Sequence, residues 1–335
     1  MLFGPQPSHP ASTVLVTGGA GFIGGVVSEH LLAAGHRVIT LDRGMGRRHH
    51  RTRNRLAAAR HLIADLDPTR PGADPSPVDP AVVLRSVDRV VHLAGRPGVQ
   101  TSWGPGFGDH LVDNLAVTQR LLEAAAEVGV DRMVVASSSS VYGQIASGLA
   151  AEDAPLRPRS PYGVAKAGVE QLVGVYAEIG VPVVALRYFT VYGRGQRPDM
   201  AVARMIDAAG GGPPFPVRGH GRQQRDLTHV DDVASATVAA LFADLEPGWV
   251  ANVGSGRPVG MTELLGKVAV AAGRPVPTVA AAAAPGDPDR TAADTSRARR
   301  DLGWRPRVEL AAGLADQVAG VGAASSPGRR VGRPA

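Results

Sequence analysis

The stretch Val14-Leu-Val-Thr17-Gly18-Gly19-Ala20-Gly21-Phe22-Ile23-Gly24 decides the fold. Val14 to Thr17 is a short, mostly β-branched run, which reads as a buried strand. Glycines then recur at 18, 21 and 24, and Gly21 opens a helical pattern that runs to Ala34 and closes at Gly35. A strand that turns through glycines into a helix gathers backbone N–H groups and the positive helix end at one spot. That spot suits a pyrophosphate, and the missing side chains let the backbone approach it. Arg37 to Leu41 reads as a second strand. It ends at Asp42, 18 residues beyond Gly24, close to where a carboxylate takes the ribose hydroxyls of a dinucleotide. A carboxylate there favours NAD over NADP, because it repels a 2′-phosphate. Arg43 beside it works the other way.

Working outward, strand and helix signals keep alternating. His61 to Ala64 reads as a third strand ending at Asp65, and Val90 to Leu93 as a fourth. Leu111 to Val128 is a long helical pattern stopped by Gly129. Arg132 to Ala136 is a fifth strand that runs into four serines. Tyr162 to Ile179 is helical, and Val183 to Arg187 is a sixth strand. Short apolar strands alternating with longer helices predict an α/β fold with a doubly wound parallel sheet, the Rossmann arrangement. The Pro-rich stretch 67–80 reads as a surface loop.

After about residue 190 glycine and proline punctuate the chain. Asp231-Asp232 reads as a helix N-cap before Val233 to Phe242, and Met261 to Ala272 as another helix. The expected organisation is a flexible tail over 1–12 and a dinucleotide-binding domain over 13–190. A smaller C-terminal α/β substrate domain follows over 191–322, with 226–254 returning to the first sheet, and a disordered tail over 323–335.

Composition narrows the function classes. The chain has 335 residues, 44% apolar and 20% charged, with no cysteine. That is enough for a sizeable core, and it excludes disulfide scaffolds, thiolate metal sites and cysteine nucleophiles. No metal site is expected. No apolar run reaches the roughly 18 residues a bilayer demands. The opening MLFGPQPSHPAS lacks a charged segment before an apolar one, so a cytoplasmic protein without a membrane anchor is expected. The net charge is +6, and the only lysines are Lys166 and Lys267. The basic segment 43–60 has no interleaved aromatic residues, so it reads as a solvated face, not as a nucleic-acid surface.

Tyr162 and Lys166 stand four apart at a helix start and so share one face. A tyrosine phenolate can take a proton from a sugar hydroxyl, but a free phenol ionises only near pH ~10. An adjacent ammonium is expected to favour the phenolate. The run Ser137-Ser138-Ser139-Ser140 lies at the carboxyl end of the fifth strand, the edge on which doubly wound sheets bind ligands. Asp65 and Leu66 end the third strand and read equally well as adenine contacts or as a simple strand-end cap.

Together GGAGFIG, HLAG (92–95), ASSSSVYG (136–143), SPYGVAK (160–166) and RYFTVYG (187–193) resemble the extended short-chain dehydrogenase/reductase superfamily. More narrowly they are similar to nucleotide-sugar 4-epimerases of the UDP-glucose and UDP-glucuronate type. RPDMA (197–201), RDLTHVDDVA (225–234) and the segment from Gly286 to Asp294 extend the likeness over roughly residues 12–315. The resemblance implies bound NAD. It assigns Gly18, Gly21, Phe22, Ile23 and Gly24 to the pyrophosphate, Asp42 to the adenosine ribose, and Asp65 and Leu66 to adenine. Leu93, Ala94 and Gly95 would line the cofactor, with Asn114 behind it. Ser138, Tyr162 and Lys166 would be the catalytic group, and Tyr188 and Thr190 would lie near nicotinamide and substrate. Ser139 would touch the sugar, and Arg225 and Arg290 its diphosphate.

Sugar dehydratases and decarboxylases resemble the same pattern but carry acids where this chain has Ser139 and Ser140, so the likeness favours epimerisation. Among substrates it favours UDP-glucuronate, with Arg197 and then Arg194 as the residue meeting the sugar carboxylate. Gln100 stands where relatives often carry an arginine, which keeps neutral sugars such as UDP-glucose or UDP-N-acetylglucosamine open. Other readings are a dehydratase or decarboxylase, and a non-catalytic NAD sensor. A homodimer is expected through Leu111–Val128 and Tyr162–Ile179.

Overall fold

A computed structural model describes residues 10–44, 52, 55–67, 76–145 and 147–325. The expected tail residues 1–9 and 326–335, and much of the basic segment 43–60, lie outside them.

The doubly wound α/β fold is present. Its order begins β1 (Thr13–Thr17), α1 (Phe22–Ala33), β2 (Arg37–Asp42), β3 (Arg60–Ile63), α2 (Pro80–Leu84) and β4 (Arg89–His92). It continues with α3 (Gly106–His110), α4 (Val117–Val128), β5 (Arg132–Ser138), α5 (Pro161–Glu178), β6 (Val183–Tyr188) and β7 (Thr190–Tyr192). Then come α6 (Ala201–Ala209), β8 (Phe215–Arg218), β9 (Gln224–His229), α7 (Val230–Phe242), β10 (Val250–Val253) and β11 (Pro258–Gly260). The last elements are α8 (Met261–Ala272), β12 (Thr278–Ala281), α9 (Ser296–Leu302) and α10 (Leu310–Ser325).

Seven strands form one parallel sheet in the order β10-β6-β5-β4-β1-β2-β3. All residues of β1 and β6 are buried, because helices cover both faces of the sheet. One face is closed by α1 and α7 around Val26, Leu31, Val233 and Leu241. The other is closed by α2, α4 and α5 around Leu84, Leu121, Leu122 and Val169. Order reverses between β1 and β4, so the ligand crevice opens there, above the carboxyl ends of the strands.

The remaining strands make two small sheets, β11-β9-β7 and β12-β8. A separate core of Tyr192, Met205, Ile206, Phe215, Leu227 and Leu264 supports them. Strand β10 pairs with β6 in the large sheet, while β9 stays with β7 and β11. The segment 226–254 is therefore divided between the two. Helix α10 runs to Ser325, past the residue at which the composition suggests a disordered tail. Among the described residues, no helix is long and apolar enough to cross a membrane.

Two local expectations are corrected. The N-cap of α7 is His229, whose Nδ1 accepts from the Asp231 N–H at 3.3 Å. Asp231 and Asp232 lie inside the first turn, where they complement the helix dipole. Nor is Leu111–Val128 one α-helix: Leu111–Ala116 is a π turn between α3 and α4. Asn114 accounts for the widening. Its Nδ2 donates to the carbonyls of His110 (2.9 Å) and Arg96 (3.0 Å), drawing the loop after β4 against the helix. Such turns concentrate at functional sites.

Candidate active site

A cleft of about 870 Å³ opens above β1, β4 and β5. Its floor is the glycine turn. Gly18 has φ +68°, in the left-handed region, and a Cβ there would stand 2.8 Å from Ala94 N. A Cβ on Gly24 would stand 2.2 Å from the Gly18 carbonyl oxygen. No side chain fits either place, so the turn stays tight and the amino end of α1 stays open to an anion.

The cleft brings together most of the residues singled out from the sequence. Gly18, Gly21, Phe22, Ile23 and Gly24 line it from below, and Asp42, Asp65 and Leu66 from the β2–β3 side. Leu93, Ala94, Gly95 and Asn114 line the β4 side, while Ser138, Ser139, Tyr162, Lys166, Tyr188, Thr190 and Arg197 line the far end. The Asp42 carboxylate accepts from Gly44 N at 2.7 Å, which holds it at the strand edge. The buried Asn114 Oδ1 has no hydrogen-bond partner among the described residues.

Leu93 to Gly95 are held by a buried chain that sequence reading missed. Thr17 Oγ1 meets His92 Nδ1 at 2.7 Å, and His92 Nε2 meets Thr118 Oγ1 at 3.0 Å. Ala94 N donates to Thr17 Oγ1 at 3.1 Å. Burial, and then the Lys166 charge, push His92 down to about 3, so the ring stays neutral and ties β1, β4 and α4 together.

At the far end Ser160 caps α5, accepting from Gly163 N at 3.1 Å, and so sets Tyr162 and Lys166 in the first turns. Both are buried. Lys166 Nζ donates to the Ala136 carbonyl at 2.8 Å. Burial lowers Lys166 to about 8, and the carboxylate of Glu170, one turn on, works against that. Burial also raises Tyr162 above the usual phenol range; Ser138 and Arg197 oppose it. The sequence makes Lys166 the group that acidifies the phenol. In the structure both groups are buried in the cleft wall, and Ser138 and Arg197 add their support to the phenolate against that burial.

Glu170 carried no signal in the sequence, yet it anchors the site. Arg187 from β6 grips it, Nε to Oε1 at 2.9 Å and Nη2 to Oε2 at 2.7 Å, and Ser137 Oγ donates to Oε1. Arg187 Nη1 donates to Tyr142 Oη at 2.6 Å, and that hydroxyl donates to Asn252 Oδ1 at 2.7 Å. Each pairing is long in sequence, so no local spacing betrays it.

Several expected contacts lie elsewhere. Arg225 and Arg290 do not line the cleft: Arg225 Nη2 pairs with Asp287 at 2.5 Å, and Arg290 bonds Gln224 Oε1 and the Gly148 carbonyl. Arg194 is drawn off to Glu29 and Asp231, both at 2.7 Å, because those carboxylates sit beside it, one in the second half of α1 and one in the first turn of α7. Tyr188 reaches the cleft, but its hydroxyl bonds Thr237 at 2.8 Å inside the core. Gln100 bonds the Pro285 carbonyl at 3.3 Å, joining two loops at the rim. Arg197 does face the cleft. It pairs with Asp199 through Nε (3.0 Å) and Nη2 (2.7 Å), which leaves its Nη1 side for a ligand.

A glycine-floored anion cradle, a carboxylate at the end of β2 and a buried Ser–Tyr–Lys group now stand in one cleft. The profile described as the NAD dependent epimerase/dehydratase family matches residues 14–254. The chain belongs to that family. An uncharacterized UDP-glucose epimerase, YtcB, of Bacillus subtilis is 36% identical over 91% of this chain and 96% of its own length. A UDP-glucuronate 4-epimerase of Thermodesulfobacterium geofontis is 31% identical over 90% of this chain and 93% of its own. The solved UDP-glucuronic acid 4-epimerase of Bacillus cereus, in complex with UDP-glucuronic acid and NAD, superposes with a TM-score of 0.86. It is 35% identical and covers 93% of this chain and 99% of its own. dTDP-glucose 4,6-dehydratases are among the relatives too. NAD is the cofactor of this enzyme. The residues present fit it: the glycine cradle would take the pyrophosphate and the Asp42 carboxylate would accept from the ribose hydroxyls.

Proposed function

We propose that this enzyme is a UDP-sugar 4-epimerase, acting on UDP-glucuronate to give UDP-galacturonate. One observation carries the reaction type. Among the described residues lining the cleft, the acids are Asp42, Asp65 and Asp113, all at the adenosine end. The sugar end offers Ser138, Ser139, Ser140, Thr190, Tyr162, Lys166 and Arg197. Eliminating water from C5 and C6 calls for a carboxylic acid or carboxylate beside the sugar, and serine is a poor substitute near neutral pH. Epimerisation at C4 requires neither.

When bound, NAD would supply a reversible hydride acceptor for C4. Tyr162 takes the proton of the C4 hydroxyl as the alcohol becomes a ketone, and gives it back after the 4-keto sugar has turned its other face. Ser138 lies beside the phenol and steadies the same oxygen. Lys166, charged below about pH 8, keeps a positive field under the phenolate.

Arg197 supports the choice of acidic sugar. Its guanidinium is near enough to favour the Tyr162 phenolate, and its Nη1 side and the hydroxyls of Ser139 and Thr190 border the same space. A C6 carboxylate suits that set. Neutral UDP-sugars are the second reading, favoured by the Asp199 carboxylate that already takes one edge of Arg197. Assaying UDP-glucuronate, UDP-glucose and UDP-N-acetylglucosamine side by side, with products identified by NMR, tests both. The acidic sugar is expected to turn over fastest, and equal rates with UDP-glucose would remove it.

We also propose a homodimer through α4 and α5. Val164, Val175 and Ile179 are 51%, 56% and 68% exposed. Val164 and Val175 share one outer face of α5 and Ile179, its C-cap, continues it, an apolar stripe a partner helix would cover. Sedimentation of the V175E variant as a monomer would support this pairing.

A further inference from the structure

Arg43 and Asp113 approach the cofactor cleft from different sides. Arg43 follows β2. Asp113 sits in the π turn of the crossover from β4 to β5, and β2 and β4 flank β1 on opposite sides. Their ion pair therefore joins the two sides of the cleft that β1 separates. It is a two-pronged contact: Arg43 Nη1 donates to Oδ1 at 2.9 Å and Nη2 to Oδ2 at 2.7 Å. Arg96 braces the same carboxylate from behind, its Nε donating to Oδ2 at 3.0 Å, and is itself held by Asp109 at 3.1 Å. The Asp113 side chain is 4% exposed, and Asp65 stands 3.7 Å from Arg43 Nη1.

Arg43 holds the sequence position from which a guanidinium would meet a phosphate on the adenosine ribose. An arginine beside the end of the second strand is what allows such sites to accept a 2′-phosphate, and its fork is shaped for that group. In this protein the fork is filled by a carboxylate of the chain itself. We propose that Asp113 is a selectivity-determining residue for the dinucleotide: by holding Arg43 it withholds the guanidinium from a 2′-phosphate and leaves Asp42 to decide for NAD. Asp113 acts through Arg43 and is a positioning residue. The inference concerns the cofactor and stands whichever sugar the enzyme takes.

The test is competitive loading. Purified protein is incubated with an equimolar mixture of NAD and NADP, freed of excess, denatured, and its released dinucleotides are quantified. Wild type is expected to carry NAD. In Asp113→Ala the bound NADP-to-NAD ratio should rise about tenfold, the worth of one charge-assisted hydrogen bond. Arg43→Ala/Asp113→Ala should return to the wild-type ratio, because the phosphate has lost its partner. Asp113→Asn keeps the shape of the turn without the charge; its ratio should rise less, in the same direction, and it carries the test if the alanine variant does not fold. An unchanged ratio in both single variants overturns the proposal. So does a rise that survives removal of Arg43, since Asp113 would then act by its own charge. Loss of both dinucleotides from Asp113→Asn overturns it too, because the residue would then serve binding and not choice.

Discussion

The two ends of the cleft are built from different materials. The cofactor end is made largely of backbone: a turn at Gly18, the amino end of α1, and the strand edge at Leu93–Gly95, with Asp42, Asp65 and Asp113 as its acids. The sugar end is made of side chains. Hydroxyls come from β5 and β7, Tyr162 and Lys166 from α5, and Arg197 from the turn after β7. Backbone positions fail through collision, so substitutions there should act as switches. Side-chain positions fail through lost charge or a lost proton site, so substitutions there should grade the chemistry and leave the cofactor in place.

The largest expected effect tests the backbone half. In Gly24→Ala the new Cβ would meet the Gly18 carbonyl oxygen at 2.2 Å, and neither atom is on a flexible side chain. The turn must shift, at a cost of about 1–3 kcal/mol, and the anion cradle opens with it. The variant should melt lower and release no NAD on denaturation. Full NAD occupancy in it would break the contrast at its base.

Next in size is Tyr162→Phe. Removing the hydroxyl removes the proton acceptor, and turnover should drop by roughly 10²–10⁴-fold. Bound NAD, read from the absorbance of the denatured protein, should stay at the wild-type level. Loss of both together would mean that the sugar end is no more separable than the cofactor end.

The same division explains what could be read from the chain. The glycine turn and the Tyr162–Lys166 pair are local: strand, turn, helix and a spacing of four carry their own physics. The cap of α7 misled because aspartates are common caps, whereas His229 takes the place with a ring nitrogen. The π turn at Leu111–Ala116 depends on Asn114 reaching Arg96, 18 residues away, and no periodicity reports that. Glu170 with Arg187, and Arg43 with Asp113, are 17 and 70 residues apart. Their pairing exists only once the sheet is wound. Arg225 and Arg290 were expected at the diphosphate by resemblance, and nearby acceptors hold them outside the cleft lining.

A smaller effect separates sugar charge from sugar shape. Arg197→Met keeps the stem and removes the guanidinium. KM for UDP-glucuronate should rise about tenfold, with UDP-glucose little changed and NAD retained. Its support of the phenol acts on kcat for both sugars alike, so an equal rise in KM for both would show that Arg197 meets no sugar carboxylate.

The smallest expected effect on the reaction itself is a shift along the pH axis, and it concerns Lys166. Its ammonium is present below about pH 8 and lost above, so kcat should fall on the alkaline side near that value. The Glu170 charge raises Lys166 against burial. Glu170→Gln removes that support, Lys166 loses its proton earlier, and the alkaline limb should move to lower pH. Arg187→Met does the reverse. It leaves the Glu170 carboxylate without its guanidinium, so more of that negative charge reaches Lys166, and the limb should move to higher pH. Each variant breaks the same buried pair, and each should lose about 3–5 kcal/mol of stability by thermal or denaturant unfolding. A purely structural role for the pair would move both limbs alike or neither, so opposite displacements at similar stability loss would identify Glu170 as the group that sets the charge under Tyr162.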